Sequence, residues 1–252
     1  MRILIILLLA VAAFASDHLR WGAPAAGTVV EHTGYTLCYN ERFEQATWVA
    51  YELTRAEAQS NQASRKGMDF VDDSAIATGS ATKNDYRNSG YDKGHLAPAA
   101  DMKWSATAMR ESFLLSNVSP QNHDFNAGVW NDLENAVRGA ATRFGAVDIV
   151  TGPVLRDGLP TIGRNRVAIP EYFYKVLYTQ GDGAKAIGFV IPNARSVEPF
   201  TSYAVSVDSV EALTGLDFFD KLDDDIERSV ESRADVSEWF GTSGTKPTKR
   251  RK

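Results

Sequence analysis

Residues 91–102 read YDKGHLAPAADM, and this stretch places an acid, a cation, a glycine and a histidine in four consecutive positions. Lys93 and His95 are two residues apart, so on an extended strand their side chains lie on the same side of the chain. Hydrolysis of a phosphate ester needs a base that deprotonates water and a positive charge beside the phosphate. His95 and Lys93 supply these two groups. The stretch therefore predicts a hydrolytic site on a strand that ends at Pro98.

A second stretch, residues 115–126, reads LSNVSPQNHDFN and leads directly into a helical pattern. Amide and carboxylate oxygens suit Mg²⁺, which keeps several of its waters when it binds to a protein. We predict that Asn126 binds such an ion directly. Glu134 lies about 12 Å further along a helix, and at that distance we expect it to orient metal-bound waters. The alternative is that Asn126 only caps the helix and that Glu134 only faces solvent.

The hydropathy pattern predicts strands and helices in a mixed α+β order. Apolar residues recur at three- and four-residue intervals from Trp130 to Phe144, which indicates a helix that ends at Gly145, with Asn126 as its N-cap. Asp223, Asp224 and Asp225 are interpreted as a solvated helix face. Strands are expected at 35–39, 47–53, 147–151, 172–178 and 184–191, the first and last pairs forming hairpins, and two further helices at 207–213 and 218–230.

The two polar stretches, DKGHLAPAADM and SNVSPQNHDFNAGVWNDLE, resemble the two sequence blocks of the DNA/RNA non-specific endonuclease family, which belongs to the ββα-metal (His-Me finger) superfamily. The resemblance extends from about Tyr35 to Leu222, through TWVAYELT, VTGPVL, YFYKVLY and LTGLDFFDKL. It implies a single domain in which a ββα-metal finger lies on a central antiparallel sheet flanked by helices. It also implies one Mg²⁺ per site, with Mn²⁺ as a substitute, and DNA and RNA bound through their phosphates.

The same resemblance assigns roles to individual residues. His95 is the general base, Asn126 the direct metal ligand and Glu134 an acid that reaches the metal through water. Asn117 supports the active-site loop. Arg65, in the segment SRKGMDFVDDSAI, matches a phosphate-binding arginine. Lys93 stands where the family has arginine, and because lysine is a point charge its grip on a phosphate is expected to differ while activity survives.

The charge balance limits how nucleic acid is bound. The chain has 27 Lys and Arg against 32 Asp and Glu, a net charge of −5. Five positive charges lie in residues 246–252, so the body of the chain, residues 16–245, carries about −11. Non-specific nucleic-acid binding usually requires a basic surface. A phosphate-binding groove on this chain must therefore be a local basic patch.

The two termini differ in composition from the body of the chain. Residues 3–11 are apolar and are followed by Ala13-Phe14-Ala15, which is typical of a secretory signal cut after Ala15. We expect export to the periplasm or the medium, with no membrane anchor after cleavage. Residues 16–240 are predicted to form the nuclease domain and 241–252 a basic, disordered tail. Cys38 is the only cysteine, so no intrachain disulfide forms, and we interpret it as a small buried hydrophobic residue.

Two other functions remain open at this point. A metal-dependent phosphodiesterase or phosphatase of small molecules would use the same groups. A catalytically inactive protein that binds nucleic acid or another partner on the nuclease scaffold is a further alternative, although the presence of His95, Asn126 and Glu134 together argues against loss of activity. Oligomeric state is not predicted by the sequence.

Overall fold

A seven-stranded antiparallel sheet is the centre of the computed structural model, which describes residues 18–241. The predicted signal segment 1–15 and residues 242–252 of the predicted tail lie outside the described residues. The strands are β1 (Thr28–Glu31), β2 (Thr36–Asn40), β3 (Gln45–Thr54), β4 (Asp92–His95), β5 (Val118–Gln121), β6 (Ala146–Pro153), β7 (Thr161–Ile162), β8 (Val167–Ala168), β9 (Tyr172–Thr179), β10 (Lys185–Pro192) and β11 (Ala204–Val205). The order in the central sheet is β1-β2-β3-β6-β9-β10-β11, while β4 pairs with β5 and β7 with β8.

Eight α-helices accompany these strands in the described residues. They are α1 (Arg55–Ala58), α2 (Lys83–Tyr86), α3 (Ala106–Glu111), α4 (His123–Phe125), α5 (Asn131–Phe144), α6 (Val207–Thr214), α7 (Asp224–Glu231) and α8 (Val236–Phe240). A π-helical turn, Asn126–Trp130, joins α4 to α5. No helix in residues 18–241 is long and apolar enough to cross a membrane.

Both predicted hairpins are present. β2 pairs with β3, and β9 pairs with β10 along the whole of its length, from Tyr172 opposite Pro192 to Thr179 opposite Lys185. The strand predicted at 147–151 is the middle of β6, which lies between β3 and β9. The expected central antiparallel sheet of an α+β fold is thus confirmed.

The sheet is buried on both faces because alternate side chains of its strands enter different cores. On β9, Phe173 and Leu177 pack with α5, whereas Tyr174 and Val176 pack with α6 and the segment that follows it. Cys38 is 4% exposed and lies in the second core, as predicted for a buried hydrophobic residue. Helices therefore cover the sheet on two sides, with α5 on one face and α6 and α7 on the other.

The second C-terminal helix begins later than predicted. The expected helix 218–230 is wrong in its first residues, because α7 starts at Asp224. Phe219 has a φ of +62°, which an α-helix does not allow, and Phe218 and Phe219 are buried in the core. Asp223 caps α7 by accepting a hydrogen bond from the Asp225 amide, and all three aspartates are exposed, as expected for a solvated surface.

Candidate active site

The two polar stretches of the sequence pair as neighbouring antiparallel strands. β4 lies beside β5, with Asp92 opposite Gln121 and His95 opposite Val118. Gly94 is required by this pairing, since a Cβ at that position would lie 2.0 Å from Oε1 of Gln121, a residue that is fully buried. Together with the helical segment that follows β5, the two strands form the ββα unit.

His95 is held between two phenylalanine rings. The ring centroids of Phe70 and Phe113 lie 5.1 and 4.9 Å from that of His95. Burial, with a smaller contribution from Arg65, lowers the pKa of His95 to about 3, so the imidazole is neutral at neutral pH. Its Nε2 atom is closed off from solvent and has no hydrogen-bond partner among residues 18–241. Nδ1 is therefore the nitrogen that a water molecule can reach, and the ring is in the protonation state that a base requires.

Asn117 fixes the backbone that follows His95. Its side-chain oxygen accepts from the Ala97 amide and its side-chain nitrogen donates to the carbonyls of Ala97 and Ser112, all at 2.9 Å. The Asn117 carbonyl also accepts from the Leu96 amide. Asn117 is fully buried and does not line the cleft beside His95. It positions the loop and does not contact a substrate.

Asn126 is oriented by Asp92. Its side-chain nitrogen donates to Oδ2 of Asp92 at 2.9 Å, and Nδ1 of His123 lies 2.9 Å from the same oxygen. The amide oxygen of Asn126 has no hydrogen-bond partner in the described part of the chain, so the atom suited to a metal is left available. The prediction that Asn126 is the N-cap of the helix is wrong. Asn122 caps α4, and Asn126 has helical φ and ψ at the start of the π-helical turn.

Glu134 lies on the first turn of α5, next to three charged residues: Asp101, Arg138 and Lys175. Burial raises the pKa of Glu134, while Lys175 and Arg138 oppose that rise. Asp101, which is 1% exposed, accepts from Arg138 at 2.6 Å and from the Tyr51 hydroxyl at 2.8 Å. Glu134 is therefore held in a polar environment inside the fold and is not a surface residue.

Lys175 is a buried cation on β9, close to Glu134 and Asp101. It is 1% exposed, donates to the Thr151 hydroxyl at 3.2 Å and lies 4.7 Å from the centre of the Trp130 ring. Burial lowers the pKa of Lys175, while Glu134 and Asp101 act to raise it. Lysine is rarely fully buried unless it is paired with an acid, and Lys175 places its positive charge next to Glu134.

Arg65 and Lys93 supply accessible positive charge. Arg65 is exposed and lies over the Phe113 ring, with its guanidinium carbon 5.7 Å from the ring centre. The Lys93 ammonium lies 5.4 Å from the centre of the Phe70 ring. Neither residue forms an ion pair with any acid in residues 18–241. Both charges are therefore available to a phosphate.

One cleft of about 490 Å³ collects most of these groups. His95, Lys93, Arg65, Asn126 and Glu134 all line it, so the structure brings together every predicted site residue except the buried Asn117. Asp92 and Arg138 also line it. The two unpaired cations on this cleft, Arg65 and Lys93, form the local basic patch that the acidic body of the chain requires for contact with phosphate.

Sequence reasoning did not assign roles to Asp92, Asp101, Arg138 and Lys175. Asp92 was visible as the acid that precedes Lys93, and Arg138 follows Glu134 by four residues, which places both on one side of α5. Asp101 and Lys175 lie in quoted segments, but nothing in those segments indicated that the two side chains approach Glu134. They reach the site from a loop and from the central sheet, and only the folded chain shows that they meet.

The residues present fit a divalent metal ion of the magnesium type. The oriented amide oxygen of Asn126 and the carboxylate of Glu134 are hard oxygen donors on one cleft, and the cleft has room for the waters that such an ion retains. No cysteine lines it, which disfavours softer metals.

The ββα unit and the cleft define a hydrolase that acts on nucleic acids. The chain belongs to the DNA/RNA non-specific endonuclease family, whose model matches residues 15–225. It is 37% identical over 214 residues to the mitochondrial endonuclease G of Homo sapiens, covering 79% of this chain and 72% of that protein. It is also 37% identical over 233 residues to a nuclease of Syncephalastrum racemosum, covering 83% and 73%.

The fold agrees with this membership. A chain in the crystal structure of the EndoG/EndoGI complex superposes with a TM-score of 0.77 at 33% identity, covering 82% of this chain and 91% of that one. The predicted family and the predicted ββα-metal fold are both confirmed, and the protein is an endonuclease that hydrolyses nucleic acid.

Proposed function

We propose that the protein is a metal-dependent endonuclease that cleaves DNA and RNA without strict base or sugar preference and leaves 5′ phosphates. The observation that carries this proposal is the convergence of a neutral histidine, an oriented amide, a half-buried glutamate and two unpaired cations on one cleft. Contacts to phosphate carry no base sequence information, so a cleft of this kind accepts many substrates.

His95 acts as the general base. Its neutral ring takes a proton from a water molecule, and that water attacks phosphorus. Arg65 and Lys93 hold the phosphate oxygens, whose negative charge grows in the transition state. Asn126 would hold a magnesium-type ion directly and Glu134 would hold it through water, with Mn²⁺ as a substitute, and the bound ion would supply positive charge that stabilises the charge developing during hydrolysis.

The positions of these groups are maintained by residues behind the cleft. Asn117 fixes the loop that follows His95, Asp92 orients the Asn126 amide, and Lys175 and Arg138 lower the cost of an ionised Glu134. Each acts through a neighbour and does not touch the reacting atoms.

Digestion of supercoiled plasmid, linear DNA and total RNA tests the proposal, with Mg²⁺, with Mn²⁺ and with EDTA. We expect metal-dependent nicking of circular DNA and loss of RNA, with 5′ phosphates on the products. His95→Ala is expected to abolish both activities while leaving the fold intact, and His123→Ala, which changes an exposed histidine outside the cleft, serves as the matched control. Wild-type rates in His95→Ala would refute the assignment of the base.

A folded protein that binds DNA but cleaves neither DNA nor RNA with Mg²⁺, Mn²⁺ or Ca²⁺ would instead indicate a binding protein. Activity on nitrophenyl phosphate esters without activity on plasmid would indicate an enzyme of small molecules.

We also propose that the protein is exported to the periplasm or the medium, on the basis of the apolar segment 3–11 and the Ala13-Phe14-Ala15 sequence. N-terminal sequencing of protein recovered from the periplasm and the medium tests this, with Ser16 as the expected first residue. Recovery only in the cytoplasm with Met1 retained would contradict it.

A further inference from the structure

Three carboxylates meet on the face of the sheet opposite the active-site cleft. Asp208 and Glu211 lie on α6 and Glu231 lies at the end of α7, and one oxygen from each lies within 4.8 Å of the others. The three residues belong to the layer formed by α6 and α7, whereas the cleft lies on the side of α5. This cluster is therefore separate from the catalytic groups.

Glu231 is the unusual member of the cluster. It is only 4% exposed, its Oε1 atom is closed off from solvent, and that atom has no hydrogen-bond partner among residues 18–241. A buried polar atom without a partner is costly, and a buried carboxylate more so. Glu231 therefore needs either a proton or a cation.

The surroundings offer Glu231 no cation from the protein. Burial raises the pKa of Glu231, and four neighbouring acids raise it further: Glu211, Glu227, Asp208 and Asp217. No lysine or arginine in the described chain pairs with any of the three carboxylates. The nearby Arg228 pairs instead with Asp225. The Glu211 carboxylate accepts a hydrogen bond from the Phe218 amide at 2.8 Å, which fixes it in place and leaves its remaining lone pairs available.

We propose that Asp208, Glu211 and Glu231 bind a divalent cation of the calcium type, which joins α6 to α7. Calcium binds oxygen ligands at about 2.3–2.6 Å, so two of its ligands are at most about 5 Å apart, and one ion can contact all three carboxylates at the observed separation. Asp208 is exposed, so water reaches the ion from that side and completes its coordination.

The cation acts on stability and not on cleavage. It replaces the proton that Glu231 otherwise holds and cancels the repulsion between α6 and α7. By linkage, calcium at about 100 times its dissociation constant raises the melting temperature by roughly 5–10 °C for a domain of this size.

Calcium binding to the full, metal-free protein tests the proposal by calorimetry, alongside thermal unfolding. The measurement is made in Asn126→Ala, so that the active-site cleft does not contribute a metal site. We expect one calcium ion per chain and a rise in melting temperature. Adding Glu231→Gln, which keeps the volume of the side chain and removes its charge, is expected to weaken binding at least tenfold and to abolish the rise.

Two further variants make the result decisive. Asp208→Asn changes an exposed ligand, does not threaten folding and is expected to weaken binding as well. Glu227→Gln removes a negative charge from α7, the helix that carries Glu231, and leaves the three proposed ligands unchanged. It is expected to retain binding within about threefold. Absence of bound calcium in Asn126→Ala, or equal binding after Glu231→Gln, would overturn the proposal.

Discussion

Lys93 stands where the family has arginine, and it keeps a positive charge at that position. Its ammonium lies over the Phe70 ring, which also packs against His95, and an arginine would stack on that ring in the same way. We expect Lys93→Ala to reduce kcat/KM on plasmid at least tenfold. Lys93→Arg is expected to stay within about threefold of wild type or exceed it, since the cation remains.

Steady-state cleavage of plasmid and RNA measures both variants, with Lys66→Ala as the control because Lys66 is exposed and does not line the cleft. Full activity in Lys93→Ala would mean that Arg65 alone holds the phosphate.

Asp92 is a second residue whose role is clear from its contacts. It accepts from the Asn126 amide nitrogen and thereby presents the amide oxygen. We expect Asp92→Ala to raise the Mg²⁺ concentration needed for half-maximal activity by 10–100-fold, which is the usual cost of losing a residue that orients a metal ligand.

The matched control is His123→Ala, which removes the other partner of the same carboxylate. A magnesium titration of the cleavage rate measures both variants. An unchanged titration in Asp92→Ala would show that Asn126 keeps its orientation without help.

His95 links the active site to stability at acid pH. Its pKa is lowered to about 3 from an ordinary value near 6.5, so between these values the unfolded chain takes up a proton that the folded chain does not. Stability is therefore lost as pH falls through this window, by about 1.4 kcal/mol per pH unit from this residue. We expect His95→Gln to lose less stability than wild type between pH 6.5 and 4.5, as measured by urea unfolding. Parallel losses in both proteins would mean that His95 is protonated in the folded state.

At the scale of the elements, Asn117 joins the strand that carries His95 to the end of α3. Asn117→Ala leaves the Ala97 amide and the carbonyls of Ala97 and Ser112 without their partners in a buried position. We expect a loss of about 2–4 kcal/mol in the free energy of unfolding. Asn122→Ala, which removes the cap of α4, is the comparison and is expected to cost about 1 kcal/mol. Urea unfolding measures both, and equal small losses would contradict the role of Asn117.

The elements also show which sequence patterns were informative. Hairpins and the long helix were predictable because alternation and three- to four-residue spacing extend over many residues, as in β9, β10 and α5. The start of α7 was not predictable, because Phe218 and Phe219 continue an apolar helical pattern while a positive φ at Phe219 interrupts it. The role of Asn126 was misread in part, since a residue before a helix resembles a cap, and only its contact with Asp92 shows otherwise.

The site was predictable to the extent that its residues are close in sequence. His95, Lys93, Asn126 and Glu134 come from two short stretches that form one ββα unit, so motif spacing located them together. Asp101 belongs to the same stretch as His95 but its contact with Arg138 brings it to α5, and Lys175 comes from β9, so the buried charges next to Glu134 result from the packing of the folded chain. No local pattern reports such a contact.

For the whole molecule, the acidic surface and the small basic cleft predict a shallow dependence on salt. Two unpaired cations, Arg65 and Lys93, face the cleft, and each neutralised phosphate contributes about −0.9 to the slope of log affinity against log salt. We expect a slope near −2 for kcat/KM on duplex DNA at fixed Mg²⁺, and near −1 for Lys93→Ala.

A chain lacking residues 242–252 separates the cleft from the basic tail, which holds five positive charges. An unchanged slope after truncation supports the cleft as the place of contact. A slope steeper than −4 that falls on truncation would transfer most of the contact to the tail.

The hydrogen bonds from Asn117 also determine how the loop after His95 opens. The Leu96 and Ala97 amides both donate to Asn117, and both residues are fully buried. We expect their protons to exchange slowly, because both amides are hydrogen-bonded and buried. Hydrogen exchange of these two protons would therefore measure the local stability of the segment directly after His95.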